Sequence, residues 1–257
     1  MTPAPLHLAG ERLMLDPDGA LVWPAQGVLA VADLHLEKGS AAAARGALLP
    51  PFDTRATLDR LAGMLRRWSP RTVVALGDSF HDPHASARLG HADVARLRRM
   101  GEAHRFVWVL GNHDPAPPSG LGGIAAAEWR LGPLRFVHQA DPAPAARRTG
   151  PADICGHFHP KAQVQTRGAS VSRPCFVADA RRVLLPALGA YTGGLDVGDP
   201  AIAALFPRGG RVFLLGRERL FSFVYTARPA RPAAGAELQE FPERTASIRQ
   251  AARISQA

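Results

Sequence analysis

Four short runs of this chain each follow an apolar segment and each ends in residues that bind metals. They are Asp33-Leu34-His35, Gly77-Asp78-Ser79, Gly111-Asn112-His113-Asp114 and Gly156-His157-Phe158-His159. His138, after Leu134-Arg135-Phe136-Val137, is a fifth case. Ligands of open α/β sheets sit beyond the carboxyl ends of the strands. The repetition therefore predicts several strands of one sheet ending together and delivering Asp, Asn and His to a single point. Singly, these motifs are weak: Asp-x-His is usually a surface turn, and Asn before His is often an Asx turn. Their recurrence at five strand ends carries the reading. So many imidazole and oxygen donors exceed what one ion needs, which predicts a two-metal hydrolase centre. The mixture of imidazole, carboxylate and amide, with no cysteine set, suits Mn²⁺, Fe or Zn²⁺ better than a thiolate zinc or an all-oxygen site.

The surrounding pattern is α/β. Residues 6–23 read as a pair of short strands around the Asp16-Pro17-Asp18-Gly19 turn. Strands are predicted at 27–32, 71–76, 105–110, 134–137 and 152–155. After the Pro50-Pro51 break, Asp53 is the expected N-cap of an amphipathic helix carrying Leu58, Leu61, Leu65 and Trp68. His91 to His104 forms a second helix, with Val94, Leu97 and Met100 inward. Further strands at 170–177, 182–185, 212–215 and 220–224 have fewer donors and are assigned to a second sheet. Residues 1–227 are expected to form one domain. Residues 228–257, rich in Ala, Pro and Glu, are expected to be a flexible tail.

Composition narrows the setting. No run of about 18 apolar residues exists, so no transmembrane helix is expected. Met1-Thr2-Pro3-Ala4-Pro5 lacks the basic start and apolar stretch of a secretory signal. Two cysteines, Cys155 and Cys175, cannot form a disulfide framework and read as buried thiols of a cytoplasmic protein. Lys and Arg number 31 against 22 Asp and Glu, a net charge of +9. That excess favours an anionic partner such as nucleic acid. Only Lys38 and Lys161 are lysines, so genome composition accounts for the choice of Arg but not for the excess. Lys38 and Arg45 read equally well as phosphate contacts and as solvated charges. His7, His84, His91 and His104 lie away from the strand ends and read as surface residues.

Taken in order, Asp33-x-His35, Gly77-Asp78, Gly111-Asn112-His113-Asp114, His138 and Gly156-His157-x-His159 resemble the calcineurin-like metallophosphoesterase superfamily. A narrower likeness lies in Ala32 to Gly39, Leu49-Pro50-Pro51, Leu76 to Asp82, and Leu185-Pro186-Ala187-Leu188-Gly189-Ala190-Tyr191-Thr192-Gly193-Gly194-Leu195-Asp196. These are similar to the bacterial DNA-ligase-associated metallophosphoesterases. The resemblance implies a four-layer α-β-β-α sandwich of two mixed sheets. It also implies that Asp33, His35 and His159 bind one metal, that Asn112, His138 and His157 bind the other, and that Asp78 bridges both. His113 would then act beside the substrate phosphate without binding metal. Many members carry an Asp three residues after the bridging Asp, where it orients the catalytic His; this chain has His81 there. Asp82 as a substitute, Asp114 as a substitute, and a His113 with no carboxylate partner are three open readings.

The implied activity is phosphodiester hydrolysis in nucleic acid, as a nuclease linked to DNA repair, by attack of a metal-bridging hydroxide. Mn²⁺ is the favoured ion. A phosphatase or phosphodiesterase for a small nucleotide is a second reading. A third is a binding partner of a DNA ligase or helicase within a DNA-processing complex.

Overall fold

The computed structural model describes residues 1–47, 49–116, 120–142, 150–165, 168 and 170–226. The expected tail at 228–257 lies outside the described residues. The elements in chain order are β1 (Ala4–Leu8), β2 (Glu11–Leu15), β3 (Leu21–Trp23), β4 (Val28–Val31), α1 (Lys38–Ala44), α2 (Asp53–Trp68), β5 (Thr72–Leu76), α3 (Ala85–Arg88), α4 (His91–Ala103) and β6 (Arg105–Val109). There follow β7 (Ile124–Ala126), β8 (Glu128–Leu131), β9 (Leu134–Val137), β10 (Ala152–Cys155), β11 (Lys161–Gln165), β12 (Ser170–Ala178), β13 (Arg182–Leu184), α5 (Pro200–Leu205), β14 (Gly210–Leu215) and β15 (Leu220–Tyr225).

These strands build two mixed sheets. One runs β1-β2-β3-β4-β5-β6-β7. Its first half is an antiparallel meander, and β4 to β7 are parallel, with Ala30 opposite Val74 and Val74 opposite Val107. The other runs β15-β14-β12-β13-β10-β9-β8, with β11 added to β12. There β10 lies parallel to both β9 and β13.

The strand β4 shows why its sequence is apolar without a break. Val28, Ala30 and Ala32 face the core between the sheets, beside Phe136, Ile154 and Phe176 of the second sheet. Leu29 and Val31 face the opposite way, into Leu58, Leu61 and Met64 of α2 and Leu97 and Met100 of α4. A strand covered on both faces has no polar side to show. The outer face of the second sheet is covered more thinly. Cys155, Cys175, Val177 and Leu184 pack there against Ile202 and Leu205 of the single short helix α5. Both cysteines are free and buried, as expected of core thiols, and burial pushes Cys155 up to about 12. No described helix is long and apolar enough to cross a membrane.

Four expectations need correction. The donor-bearing strands do not share one sheet: β4, β5 and β6 belong to the first, β9 and β10 to the second. Residues 6–23 hold parts of three strands, with the Asp16–Gly19 turn joining β2 to β3. Asp53 is not the N-cap of α2, since Phe52 occupies that position. The Asp53 carboxylate instead accepts the Gly39 backbone N–H at 2.9 Å, pinning the start of α1. The elements α1, α3, β7, β8, β11 and α5 were not foreseen.

Candidate metal centre

The loops leaving β4 and β5 are tied to each other. Asp33 N donates to Gly77 O at 3.3 Å, and His35 N to Asp78 O at 2.8 Å. Across the gap, His157 N donates to Asp33 Oδ2 at 2.9 Å, joining the two sheets at their ends. These turns are tight. Asp33, His35, Asp78, His157 and His159 all have left-handed backbone, φ between 43° and 77°. They are five of the eight described non-glycine residues with positive φ, so strain is concentrated on the donors. Such conformations cost of order 1–3 kcal/mol each and persist where surrounding contacts hold them. Two glycines allow the approach. Gly77, at φ 72°, would press any Cβ into the His138 ring, and a Cβ at Gly156 would lie 2.6 Å from Asp33 Oδ2.

The result is two adjoining groups of donors. Atoms of Asp33, His35 and His159 lie within 4.8 Å of one another, and so do atoms of Asp78, His138 and His157. In the first, His159 Nε2 is 3.5 Å from Asp33 Oδ1 and 3.3 Å from His35 Nε2. In the second, His138 Nε2 is 3.0 Å from Asn112 Oδ1, 3.1 Å from His157 Nδ1 and 3.4 Å from Asp78 Oδ2. That same Asp78 oxygen is 3.9 Å from His35 Nε2. One carboxylate oxygen thus stands between the groups. His138 Nδ1 donates to the Leu76 carbonyl at 2.9 Å, which turns Nε2 toward the cluster.

The electrostatics show what the cluster lacks. Asp33 Oδ1 is fully buried and has no hydrogen-bond partner, and the same holds for His35 Nδ1. A buried carboxylate oxygen without a donor is costly unless a cation faces it. Burial pulls His35 down to about 3, helped by His159. Burial would also pull His138 down, but its hydrogen bond to Asp78 and the charges of Asp33 and Asp78 hold it up at about 9. Burial raises Asp78, and His138 with its neighbours outweighs this to bring it to about 2. The donor set fits divalent ions.

The three readings of His113 now separate. Asp82 is engaged by Arg88, at 3.1 and 2.6 Å. Asp114 accepts from the backbone N–H of Asp78, Gly111, Ser79 and Phe80, at 2.7–3.2 Å. It braces the Asp78 turn and is neither a metal donor in the cluster nor a partner of His113. Burial, helped by the Asp78 charge, nevertheless lifts Asp114 to about 6 against the Phe80, Ser79 and Gly111 donors. His113 Nδ1 meets the backbone carbonyl of His81 at 2.9 Å. A carbonyl only accepts, so Nδ1 carries the proton. The His81 ring stacks on His113, centroids 5.4 Å apart at 19°. His113 Nε2 lies 4.0 Å from Asp78 Oδ2, on a side chain 41% exposed.

One segment, quoted above only for the narrower resemblance, was given no role at the site. The segment after β13 closes the Asp33 side, with Leu188 N on Ala32 O at 2.8 Å and Gly189 N on Asp33 O at 3.0 Å. Its small residues have a steric reason, since a Cβ at Gly189 would crowd the Asp33 and Leu34 carbonyls.

A family model for calcineurin-like phosphoesterases matches residues 27–167, more than half of the 257-residue chain. Among curated proteins nothing matches. Among solved structures, the Pseudomonas putida nuclease MPE is 30% identical over 86% of this chain and 100% of its own, with a TM-score of 0.66. Yfce, a phosphoesterase from E. coli, is 15% identical over 77% of this chain and 99% of its own, with a TM-score of 0.40. The strand-end donors, their convergence across two sheets and the family match all agree: the chain belongs to the calcineurin-like phosphoesterase family and is a metal-dependent phosphoesterase.

Proposed function

We propose that this chain hydrolyses phosphodiester bonds in nucleic acid at a centre of two divalent metal ions, Mn²⁺ being the favoured choice. The observation that carries the dinuclear part is Asp78 Oδ2, placed between the two donor groups. Asp33, His35 and His159 would hold one ion, and Asn112, His138 and His157 the other, with Asp78 shared. Bound there, such ions neutralise phosphate oxygens and lower the pKa of a coordinated water. The chain's own residues do the rest. Asp78 accepts the His113 backbone N–H on Oδ1 at 2.9 Å, which fixes the distance between the shared carboxylate and the catalytic histidine. The His81 carbonyl fixes His113 Nδ1 as a donor, so Nε2 is the atom that turns to the leaving oxygen. A protonated Nε2 would hand that oxygen its proton.

Two observations support nucleic acid as the substrate. The net charge is +9, and the similar Pseudomonas putida protein is a nuclease. The test loads purified protein with Mn²⁺ and compares bis-p-nitrophenyl phosphate with the mononitrophenyl ester, then single-stranded, duplex, nicked and flapped DNA. Faster turnover of the diester together with cleavage of at least one DNA is the expected result. A preference for the monoester, with all DNA intact, would replace this reading by that of a small-phosphomonoester phosphatase.

A further inference from the structure

The carbonyl that orients His113 belongs to the peptide joining His81 to Asp82. A carbonyl has no net charge to draw an imidazole in, so its direction depends on what holds the peptide. Both sides of that peptide are tied. On the first side, His81 N donates to Leu36 O at 3.0 Å, and Leu36 N donates to Ser79 O at 3.0 Å. On the second side the tie is a side chain. Asp82 Oδ1 accepts from Arg88 Nη1 at 3.1 Å, and Asp82 Oδ2 accepts from Arg88 Nη2 at 2.6 Å. Two parallel donors fix the angle of a carboxylate as well as its position. Asp82 Oδ1 also accepts the His84 N–H at 2.9 Å, closing a turn over Pro83.

Arg88 is anchored in its turn. Its Nε donates to Ser40 Oγ at 2.9 Å, and Ser40 Oγ donates to Glu37 O at 3.0 Å. Ser40 lies in α1, whose start Asp53 pins through Gly39. Arg88, the last residue of α3, thus spans from α1 to the turn after His81. The Arg88 and Asp82 side chains are 28% and 26% exposed. Ion pairs this open to water add little to the stability of a fold. What three directed hydrogen bonds from one guanidinium do supply is a fixed geometry.

We infer that Arg88 is a positioning residue for the departure of the leaving group. By clamping Asp82 it holds the His81–Asp82 peptide with its carbonyl on His113 Nδ1, and so keeps His113 Nε2 aimed at the leaving oxygen. A peptide free to rotate would release Nδ1 and let the exposed ring turn away. The inference rests on the part given to His113 in the function proposed above.

The test is a double-mutant cycle of wild type, R88A, H113A and R88A/H113A, each Mn²⁺-loaded and checked for metal by elemental analysis. The substrate is oligothymidylate, or diphenyl phosphate should wild type leave DNA intact. R88A should lose about tenfold or more in kcat, since a misplacement of about 1 Å can cost about 10²-fold. Its KM should stay within about twofold, with metal content unchanged. In the H113A background the same substitution should cost no more than about twofold, because residues acting through one another are not additive. R88K keeps the charge but cannot span Asp82 and Ser40 at once, so it should recover part of the loss. D82N keeps an oxygen for the His84 N–H but loses the charge; it should repeat the R88A pattern and takes its place should R88A fold poorly. An R88A loss of equal size with and without His113 would make Arg88 a support of the fold and overturn the assignment. Metal lost from R88A, or R88A turnover equal to wild type, would overturn it too. H113A at wild-type turnover would instead remove the part given to His113, and the clamp with it.

Discussion

Buried carboxylates near the two ends of β10 live under opposite electrostatic conditions. Near the start, Asp153 is bound by Arg135 at 2.7 Å and approached by Arg182 at 3.4 Å. Arg182 also donates to the carbonyls of Leu205 and Asp141. Beyond the other end, Asp33 and Asp78 meet imidazoles and no Lys or Arg, and Asp33 Oδ1 has no hydrogen-bond donor at all. One end is complete within the chain. The other leaves a buried carboxylate oxygen with no donor and is complete only with added positive charge. The difference marks a brace at one end and a receptor for cations at the other.

The strongest way to break this comparison is D78N, which removes the shared charge and one of its oxygens. It should lose metal by elemental analysis and fall to background turnover; full occupancy would show that Asp78 does not bridge. Next is H113A, which should keep both metals and lose about 10²–10⁴-fold in turnover, the range for a positioned acid. Unchanged turnover would remove His113 from the mechanism. At the opposite end of β10, D153A should destabilise the fold by about 1–3 kcal/mol, because it removes the 2.7 Å partner of Arg135, leaving it the 3.4 Å contact to Glu128, and leaves Arg182 with backbone carbonyls alone. Its metal content per folded chain should stay at the wild-type level; loss of metal without loss of stability would erase the distinction between the two ends.

The last test is of pH. His138 sits at about 9 without metal, above its ordinary 6.5. Its bound proton therefore stabilises the metal-free fold fully below pH 6.5, and that contribution is lost as pH rises through 9. A metal must displace the same proton. Between pH 6.5 and 9 the apparent metal affinity should rise about tenfold per unit, then level off. A flat profile from metal titrations across this range would mean that His138 is not a ligand.

The candidate donors that converge in the structure were legible because each follows an apolar strand. How they divide between sheets was not, because strand pairing joins residues far apart in the chain. Nothing in Leu134–Val137 says whether it pairs with β6 or with β10. Asp114 shows a second limit. Its place in Gly-Asn-His-Asp marks it as a donor, yet four backbone N–H groups claim it, and backbone partners leave no trace in side-chain patterns. The same applies to His81, which holds His113 by its carbonyl, an atom every residue has. Asp53 read as a cap because it follows a Pro-Pro break, but the Gly39 N–H competes for it from 14 residues away.

Metal stoichiometry tests the central claim most directly. The protein is stripped with chelator, reloaded with excess Mn²⁺, desalted and measured by elemental analysis beside D78N. Two ions per wild-type chain, with occupancy lost in D78N, is the predicted result. A single ion in wild type, or an occupancy that D78N leaves unchanged, would contradict it.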